Sequence, residues 1–82
     1  MNAYPNPFKD EINVGLLLPV NTITAKLQLI EVATGRIIDE QNANSKQNLY
    51  KFNTSQLANG VYLIAIKGDN MSPSFVKVIN LK

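Results

Sequence analysis

The side chains that could do chemistry in this 82-residue chain are six carboxylates, eight basic groups and a set of hydroxyls, because histidine and cysteine are absent. The chain therefore lacks the commonest general base, the commonest metal ligand and any thiol nucleophile. No two carboxylates form an obvious catalytic pair, and Asp39, Glu40 and Asp69 do not have the spacing of oxygen ligands in a calcium loop. The sequence predicts a protein that is not an enzyme and that uses no metal or cofactor.

Length and composition predict one small domain that spans residues 1–82. Hydrophobic residues make up 45% of the chain, and the net charge of +2 is scattered along it. A charge this small does not predict a nucleic-acid partner, and no motif for a small-molecule substrate is present. The longest apolar run, Val14 to Val20, is interrupted by Gly15 and Pro19 and is too short to span a membrane.

Apolar and polar residues alternate with a period of two along most of the chain, which is typical of strands that bury one face. In the first such segment, Ile12 and Val14 lie on one face, and Pro19 is expected to end the strand. Gly35 predicts the turn of a hairpin. The predicted strands are Glu11–Leu18, Ala25–Val32, Arg36–Gln41, Leu49–Asn53, Val61–Lys67 and Ser74–Leu81. Six or seven short strands of this kind predict an all-β, immunoglobulin-like antiparallel sandwich.

Two non-strand segments carry specific turn chemistry. Each proline of Tyr4-Pro5-Asn6-Pro7 fixes its own φ and pushes the residue before it to extended conformations, which predicts a stiff, extended lead into the first strand. Thr54 or Ser55 is expected to cap a single helical turn. In the same loop, Leu57 is expected to fill part of the core, and Asn59-Gly60 to reverse the chain.

The last two predicted strands carry more apolar side chains than one buried face can hold. If Tyr62, Ile64 and Ile66 face inward, then Val61, Leu63 and Ala65 face outward. These outward side chains form an exposed patch suited to docking if they lie beside those of the closing strand, whose edge is open to a partner strand. Alternatively, both strands are central and loops cover the second face. Lys67, Lys77 and Lys82 fit either recognition or a solvated, aggregation-resistant edge, and Tyr62 fits a core tyrosine that bonds to the backbone.

Three motifs, in order and correctly spaced, resemble the type A C-terminal sorting domain of proteins exported by the type IX secretion system of Gram-negative bacteria. They are Tyr4 to Pro7, the turn at Gly35 followed by Arg36 and two isoleucines, and the series Ser55, Leu57, Gly60, Val61 and Tyr62. The closing strand, with Phe75 and Lys77, completes a resemblance that spans Tyr4 to Lys82. One departure is Val32, which occupies the place of an expected polar residue, while Glu31 stands one position early. The hairpin is still expected, but a turn capped by a side chain is not.

The resemblance implies a non-catalytic address label at the C-terminus of a larger precursor. Its implied partners are the outer-membrane type IX translocon, a cell-surface sortase that cuts before or near Tyr4, and the domain's own N-terminal cargo. The implied location is the cell surface or the medium, with the cargo released or linked to lipopolysaccharide. The implied recognition candidates are Tyr4, Pro5, Asn6, Pro7, Gly35, Ser55, Leu57, Gly60, Val61, Tyr62, Phe75 and Lys77.

The alternative function is an immunoglobulin- or fibronectin-like adhesion or carbohydrate-binding module, because this fold hosts many functions. The chain has no tryptophan, and its three tyrosines and three phenylalanines are dispersed along the sequence. An evident stacking platform for sugars is therefore not predicted.

Overall fold

The computed structural model of the chain describes residues 1–22 and 24–82 and consists of two antiparallel sheets packed face to face. The strands are β1 (Asn2–Tyr4), β2 (Glu11–Gly15), β3 (Ala25–Glu31), β4 (Arg36–Ala43), β5 (Leu49–Asn53), β6 (Gly60–Gly68) and β7 (Ser74–Asn80). One sheet has three strands in the order β1-β2-β5, and the other has four in the order β4-β3-β6-β7. The predicted all-β sandwich is confirmed. Among the described residues, no helix is long and apolar enough to cross a membrane.

The core lies between the sheets and is built by the inward half of each alternating strand. In the three-stranded sheet, Ile12 and Val14 of β2 stand opposite Phe52 and Tyr50 of β5, and all four are buried. The four-stranded sheet supplies the facing side chains, which are also buried: Leu27, Leu29, Tyr62, Ile64, Ile66 and Val78. The predicted inward face of β6, formed by Tyr62, Ile64 and Ile66, is confirmed.

Strand ends differ from the predictions where pairing overrides the local pattern. Strand β2 stops at Gly15, although Leu16 and Leu18 remain buried and Leu17 remains exposed. Beyond Gly15 the Leu16 N–H donates to the backbone oxygen of Asn48 in a loop, so regular pairing ends before Pro19. Strand β4 continues past Gln41 to Ala43, because Ala43 still pairs with Ala25.

The expectation that Tyr4 to Pro7 leads straight into the first strand is wrong. Tyr4 already ends a strand, β1, and the Tyr4–Pro5 and Asn6–Pro7 peptide bonds are both cis. The chain bends through residues 5–7, so that Phe8 leaves the three-stranded sheet, enters the core and forms a parallel bridge with Asn80 of β7. The segment therefore crosses from the three-stranded sheet, where β1 ends, to the four-stranded sheet, where Phe8 meets β7.

The expectation that Thr54 or Ser55 caps a helical turn is also wrong. Thr54 is buried, and its Oγ1 donates to the backbone oxygen of Lys9 at 2.8 Å. Instead, the Oδ1 atom of Asn53 accepts hydrogen bonds from the N–H and the hydroxyl of Ser55, at 3.1 and 2.9 Å. The Leu57 N–H donates to the Thr54 oxygen and closes a single turn. Thr54 therefore fastens this loop to the segment before β2.

A candidate recognition site at one end of the sandwich

The sequence motifs meet at one end of the sandwich, which we call the motif end and define as residues 4–8, 31–36, 55–62 and 78–82. The β3–β4 turn joins the start of β6 through a hydrogen bond from the Val32 N–H to the Val61 oxygen, at 3.1 Å. Tyr62 of β6 stands opposite Val78 of β7. Phe8 forms its bridge with Asn80, two residues further along β7. Three segments far apart in sequence thus converge on the start of β6.

Asn80, the last residue of β7, is the polar centre of the motif end. It is 1% exposed, and its Nδ2 donates to the backbone oxygens of Leu57 at 3.0 Å and Ala58 at 2.9 Å. The buried Oδ1 atom of Asn80 has no hydrogen-bond partner among the described residues, which offsets part of what the two Nδ2 bonds contribute. The two bonds still select one defined arrangement of the loop. The closing strand therefore holds the loop of the third motif in place.

An aromatic pair links the first and third motifs beneath this loop. The rings of Phe8 and Tyr62 meet edge to face, with centroids 5.9 Å apart, and both side chains are buried. The Tyr62 hydroxyl donates to the Ala58 oxygen at 2.7 Å, which confirms its interpretation as a core tyrosine that bonds to the backbone. Burial, together with the nearby charge of Glu31, raises the pKa of Tyr62 above its usual value.

The first motif covers the outer edge of β7 at its last residues. The Ile79 N–H donates to the Oδ1 of Asn6 at 3.0 Å, and the Phe8 N–H donates to the Ile79 oxygen at 2.8 Å. The Leu81 N–H in turn donates to the Phe8 oxygen at 3.0 Å. The Asn6 side chain thus accepts the hydrogen bond that the backbone of a neighbouring strand would otherwise accept from Ile79.

The β3–β4 turn is held by the side chains of Thr34 and Glu31. Gly35 has a φ of +72°, the left-handed conformation that glycine adopts at low cost, and its N–H donates to the Glu31 oxygen at 2.8 Å. The Thr34 hydroxyl donates to the Glu31 carboxylate at 2.7 Å and accepts from the Arg36 N–H at 3.2 Å. The turn is therefore capped by side chains after all, with Thr34 in the bridging role.

The chain after β7 is fastened to the third motif. The Lys82 N–H donates to the Oδ1 of Asn59 at 2.9 Å, and the Lys82 ammonium donates to the Ser55 oxygen. Together with Asn80, these contacts bind the whole loop 55–60 to the last residues of the chain. Neither Asn80 nor Lys82 was predicted to do this; the local signal was an asparagine at a position that the alternation of β7 places on the same face as the buried Val78.

The predicted recognition residues divide into two groups. The motif end contains Tyr4, Pro5, Asn6, Pro7, Gly35, Ser55, Leu57, Gly60, Val61 and Tyr62. Of these, Tyr62 is buried and Leu57 is partly buried against the core, so both serve packing. Phe75 and Lys77 lie in the first half of β7, outside the motif end, and face away from the core.

Apolar side chains do lie side by side on the outward face of the four-stranded sheet. Val61 stands opposite Ile79, and the two are 39% and 41% exposed, while Phe75 is 55% exposed. Ala65, opposite Phe75, is completely buried. The exposed patch that the sequence left open is therefore present, and its surface is formed by side chains larger than alanine.

The polar groups of the motif end serve mainly to position backbone. Asn6 accepts a hydrogen bond from a backbone N–H, and Asn80 and Lys82 donate to backbone oxygens. Thr34 donates to Glu31 within the same turn. Within residues 1–22 and 24–82, no group of three acidic side chains could hold a metal ion. The arrangement holds the loops of the motif end in one defined shape.

A family model described as "Secretion system C-terminal sorting domain" matches residues 2–80 of the chain. The match includes all seven strands and every motif-end segment except the last two residues. No curated protein matches the chain.

Proposed function

Because the chain belongs to the family of secretion system C-terminal sorting domains, which are sorting signals for type IX secretion, we propose that it directs a larger protein across the outer membrane. The family is one of sorting signals and not of catalysts. On this proposal the chain is a ligand of the translocon, and any catalytic residues belong to its partners. The cargo reaches the cell surface or the medium.

The observation that carries the proposal is the convergence of the family motifs on the motif end. Asn6, Asn80 and Lys82 come from opposite ends of the chain, and each hydrogen-bonds a segment of another motif. A linear peptide would not present these groups together. We therefore expect the translocon to read a folded surface, whose parts are assembled by β7.

The position of β1 relative to the motif end supports the proposal that the translocon binds a folded surface. Strand β1 begins opposite Gly15, at the end of β2 that lies away from the motif end, whereas Lys82 is bound at the motif end. On our proposal, a cargo joined N-terminal to β1 lies near the Gly15 end of β2 and leaves the motif end open to the translocon.

We place the sortase cut ahead of β1. A peptidase needs several residues of accessible, extended chain, and Asn2 to Tyr4 are paired with Gly15 to Asn13 of β2. Cutting within β1 would require that this pairing open, whereas cutting ahead of Asn2 would not. Mass spectrometry of the surface product should find a new C-terminus before Asn2, and a cut between Tyr4 and Phe8 would contradict this placement.

The export role is tested with a fluorescent passenger that carries a periplasmic signal and is fused to this domain, in a bacterium with a type IX system. We expect the passenger at the surface or in the medium with the complete domain, and in the periplasm when residues 75–82 are removed. Asn80→Ala is the finer probe, because it removes one side chain that organises the motif end. Asn42→Ala, an exposed position on β4, is the matched control and should be exported.

Retention of every fusion in the periplasm would contradict the proposal, provided that the host exports its own substrates. Equal export with and without residues 75–82 would contradict the role assigned to β7. If export fails, binding of the purified domain to a glycan array would instead support the adhesion function.

A further inference from the structure

The outward faces of the two sheets differ in how many apolar side chains they carry. On the three-stranded sheet, Glu11, Asn13 and Lys51 face outward beside the exposed Tyr4 and Leu49, and Lys51 pairs with Glu11 at 3.0 Å. On the four-stranded sheet, one part of the outward face is polar and is formed by Lys26, Gln28, Glu40, Asn42 and Lys67. The other part, which we call the apolar face, consists of Ile30, Ile37, Val61, Leu63, Phe75, Lys77 and Ile79, together with the exposed Val32 directly after β3. An antiparallel sheet that only meets water carries polar residues there, so the apolar face indicates a partner.

Cross-strand pairing makes the apolar face continuous. Ile37, Ile30, Leu63 and Lys77 stand opposite one another in a single row across all four strands. A β-bulge in the pairing of β3 with β4 creates this row, because it places Ile37 opposite Ile30 while Ile38 packs against the core. Ile38 therefore packs against the core, and Ile37 lies on the surface.

The edge of β7 next to this face has free backbone groups. In an antiparallel strand, the N–H and C=O groups of alternate residues point to the same side. Those of Ile79 point away from β6, because they bond to Asn6 and Phe8. By the same alternation the groups of Phe75 and Lys77 also point away from β6, and no described residue pairs with that stretch of the edge.

The charge of this surface is positive. Lys77 lies at the edge of the apolar face, and Lys67 lies beside it on β6; neither makes an ion pair with a described residue. The neighbouring Lys26 is already paired with Glu40 at 3.3 Å. A partner that covers the apolar face therefore matches it best with carboxylates near Lys77.

We propose that an extended segment of another protein adds to the β7 edge along Phe75–Lys77, with apolar side chains over the apolar face and a carboxylate beside Lys77. The free backbone groups favour a protein strand over a lipid surface, because hydrocarbon would leave those groups unpaired at a high cost. This inference goes beyond the export role: it specifies the chemistry of a partner segment and holds for whichever protein supplies it.

The probe is a synthetic peptide of about nine residues, the length of an ordinary strand, that alternates valine with threonine and has one central glutamate. It is titrated into the ¹⁵N-labelled chain at low salt, with amide hydrogen exchange followed by NMR. We expect the Phe75 and Lys77 amides to become at least about tenfold more protected, because they gain partners. The same peptide, N-methylated on alternate backbone nitrogens, is the control and should not protect them.

Two variants test the charge. Lys77→Glu is expected to weaken peptide binding about tenfold, because it sets like charges side by side. Lys46→Glu makes the same change of charge in the exposed loop before β5 and should leave binding unchanged. An unaltered midpoint of denaturant unfolding confirms that both variants fold. Equal binding by the wild type and Lys77→Glu would overturn the charge match.

Three other outcomes overturn the proposal. One is peptide binding that leaves the Phe75 and Lys77 amides unprotected. Another is protection that rises with the concentration of the chain alone, which would identify a second copy as the occupant. The third is tight binding to anionic phosphatidylglycerol vesicles without peptide binding, which would identify a lipid surface. None of these outcomes alters the export assay, so the two proposals can fail separately.

Discussion

The side chain of Asn80 donates to the backbone oxygen of Ala58 at 2.9 Å, in a site that water does not reach. Ala58 lies in the loop of the third motif, and Asn80 is the last residue of the β6–β7 hairpin that follows this loop. Through this contact, the closing strand fixes the shape of the loop before β6. The shape of the motif end therefore depends on this hydrogen bond, and so does its recognition on the function that we propose.

We expect Asn80→Ala to lower the free energy of unfolding by about 1–2 kcal/mol, because the loss of two hydrogen bonds outweighs the removal of the unpaired Oδ1. Urea unfolding followed by tyrosine fluorescence measures the change. Asn42→Ala, at an exposed position, should change it by less than about 0.5 kcal/mol. A similar small effect at both positions would show that the Asn80 contacts do not stabilise the fold.

Phe8 and Phe75 provide a matched pair for core packing against surface exposure. Phe8→Ala is expected to cost about 3–5 kcal/mol, because the ring is completely buried against Tyr62. Phe75→Ala removes the same atoms from a side chain that is 55% exposed and should cost about 1 kcal/mol or less. Thermal unfolding by circular dichroism compares the two; an equal loss would mean that Phe75 is packed as part of the core.

Tyr62→Phe should reduce stability by about 1 kcal/mol at neutral pH, because the bond to the Ala58 oxygen is lost. Burial raises the pKa of Tyr62 in the folded state, so the unfolded chain loses its proton first as the pH rises past about 10. The wild type therefore loses stability through that range, and the variant should lose less.

Unfolding curves measured at a series of alkaline pH values test this sign. Tyr4→Phe is the control, since it removes a hydroxyl from an exposed side chain. If Tyr62→Phe and wild type lost stability in parallel above pH 10, the raised pKa of Tyr62 would be contradicted.

The stability that Glu40 contributes depends on pH in the opposite direction, because it is lost on acidification. Hydrogen bonds from Gln28 and then Lys26 lower the pKa of Glu40, so its contribution to stability is present above the ordinary glutamate pKa and is lost as the pH falls through the lowered value. The difference in unfolding free energy between wild type and Glu40→Gln should therefore shrink on acidification. A difference that stays constant from neutral to acid pH would refute this.

Asn6→Ala should free the Ile79 amide without disturbing its neighbour. The Ile79 N–H loses its acceptor, the Asn6 Oδ1, while the Leu81 N–H keeps the backbone oxygen of Phe8. We expect amide exchange at Ile79 to accelerate at least about fivefold, with little change at Leu81. Equal acceleration at both amides would indicate that the variant loosens the whole crossing segment.

The sequence by itself determined the fold class, the positions of six strands and the inward faces of most of them. Alternation with a period of two is a local property, and it assigns Leu27, Leu29 and Ile64 to the core whatever the rest of the chain does. The hairpin at Gly35 was predicted for the same reason, because the turn residue stands between its two strands. The order and spacing of the motifs also indicated the family, which the family match confirms.

Only the tertiary structure decided what the turn residues bind. Thr54 was expected to cap its own turn but bonds to Lys9, and Asn6 bonds to Ile79, which lies 73 positions later in the chain. A short polar side chain has several possible local partners, and burial in the assembled sandwich selects among them. The β-bulge that turns Ile37 outward is likewise a property of paired strands. The motif end and the apolar face exist only once distant segments have met, because no local pattern specifies which segments will meet.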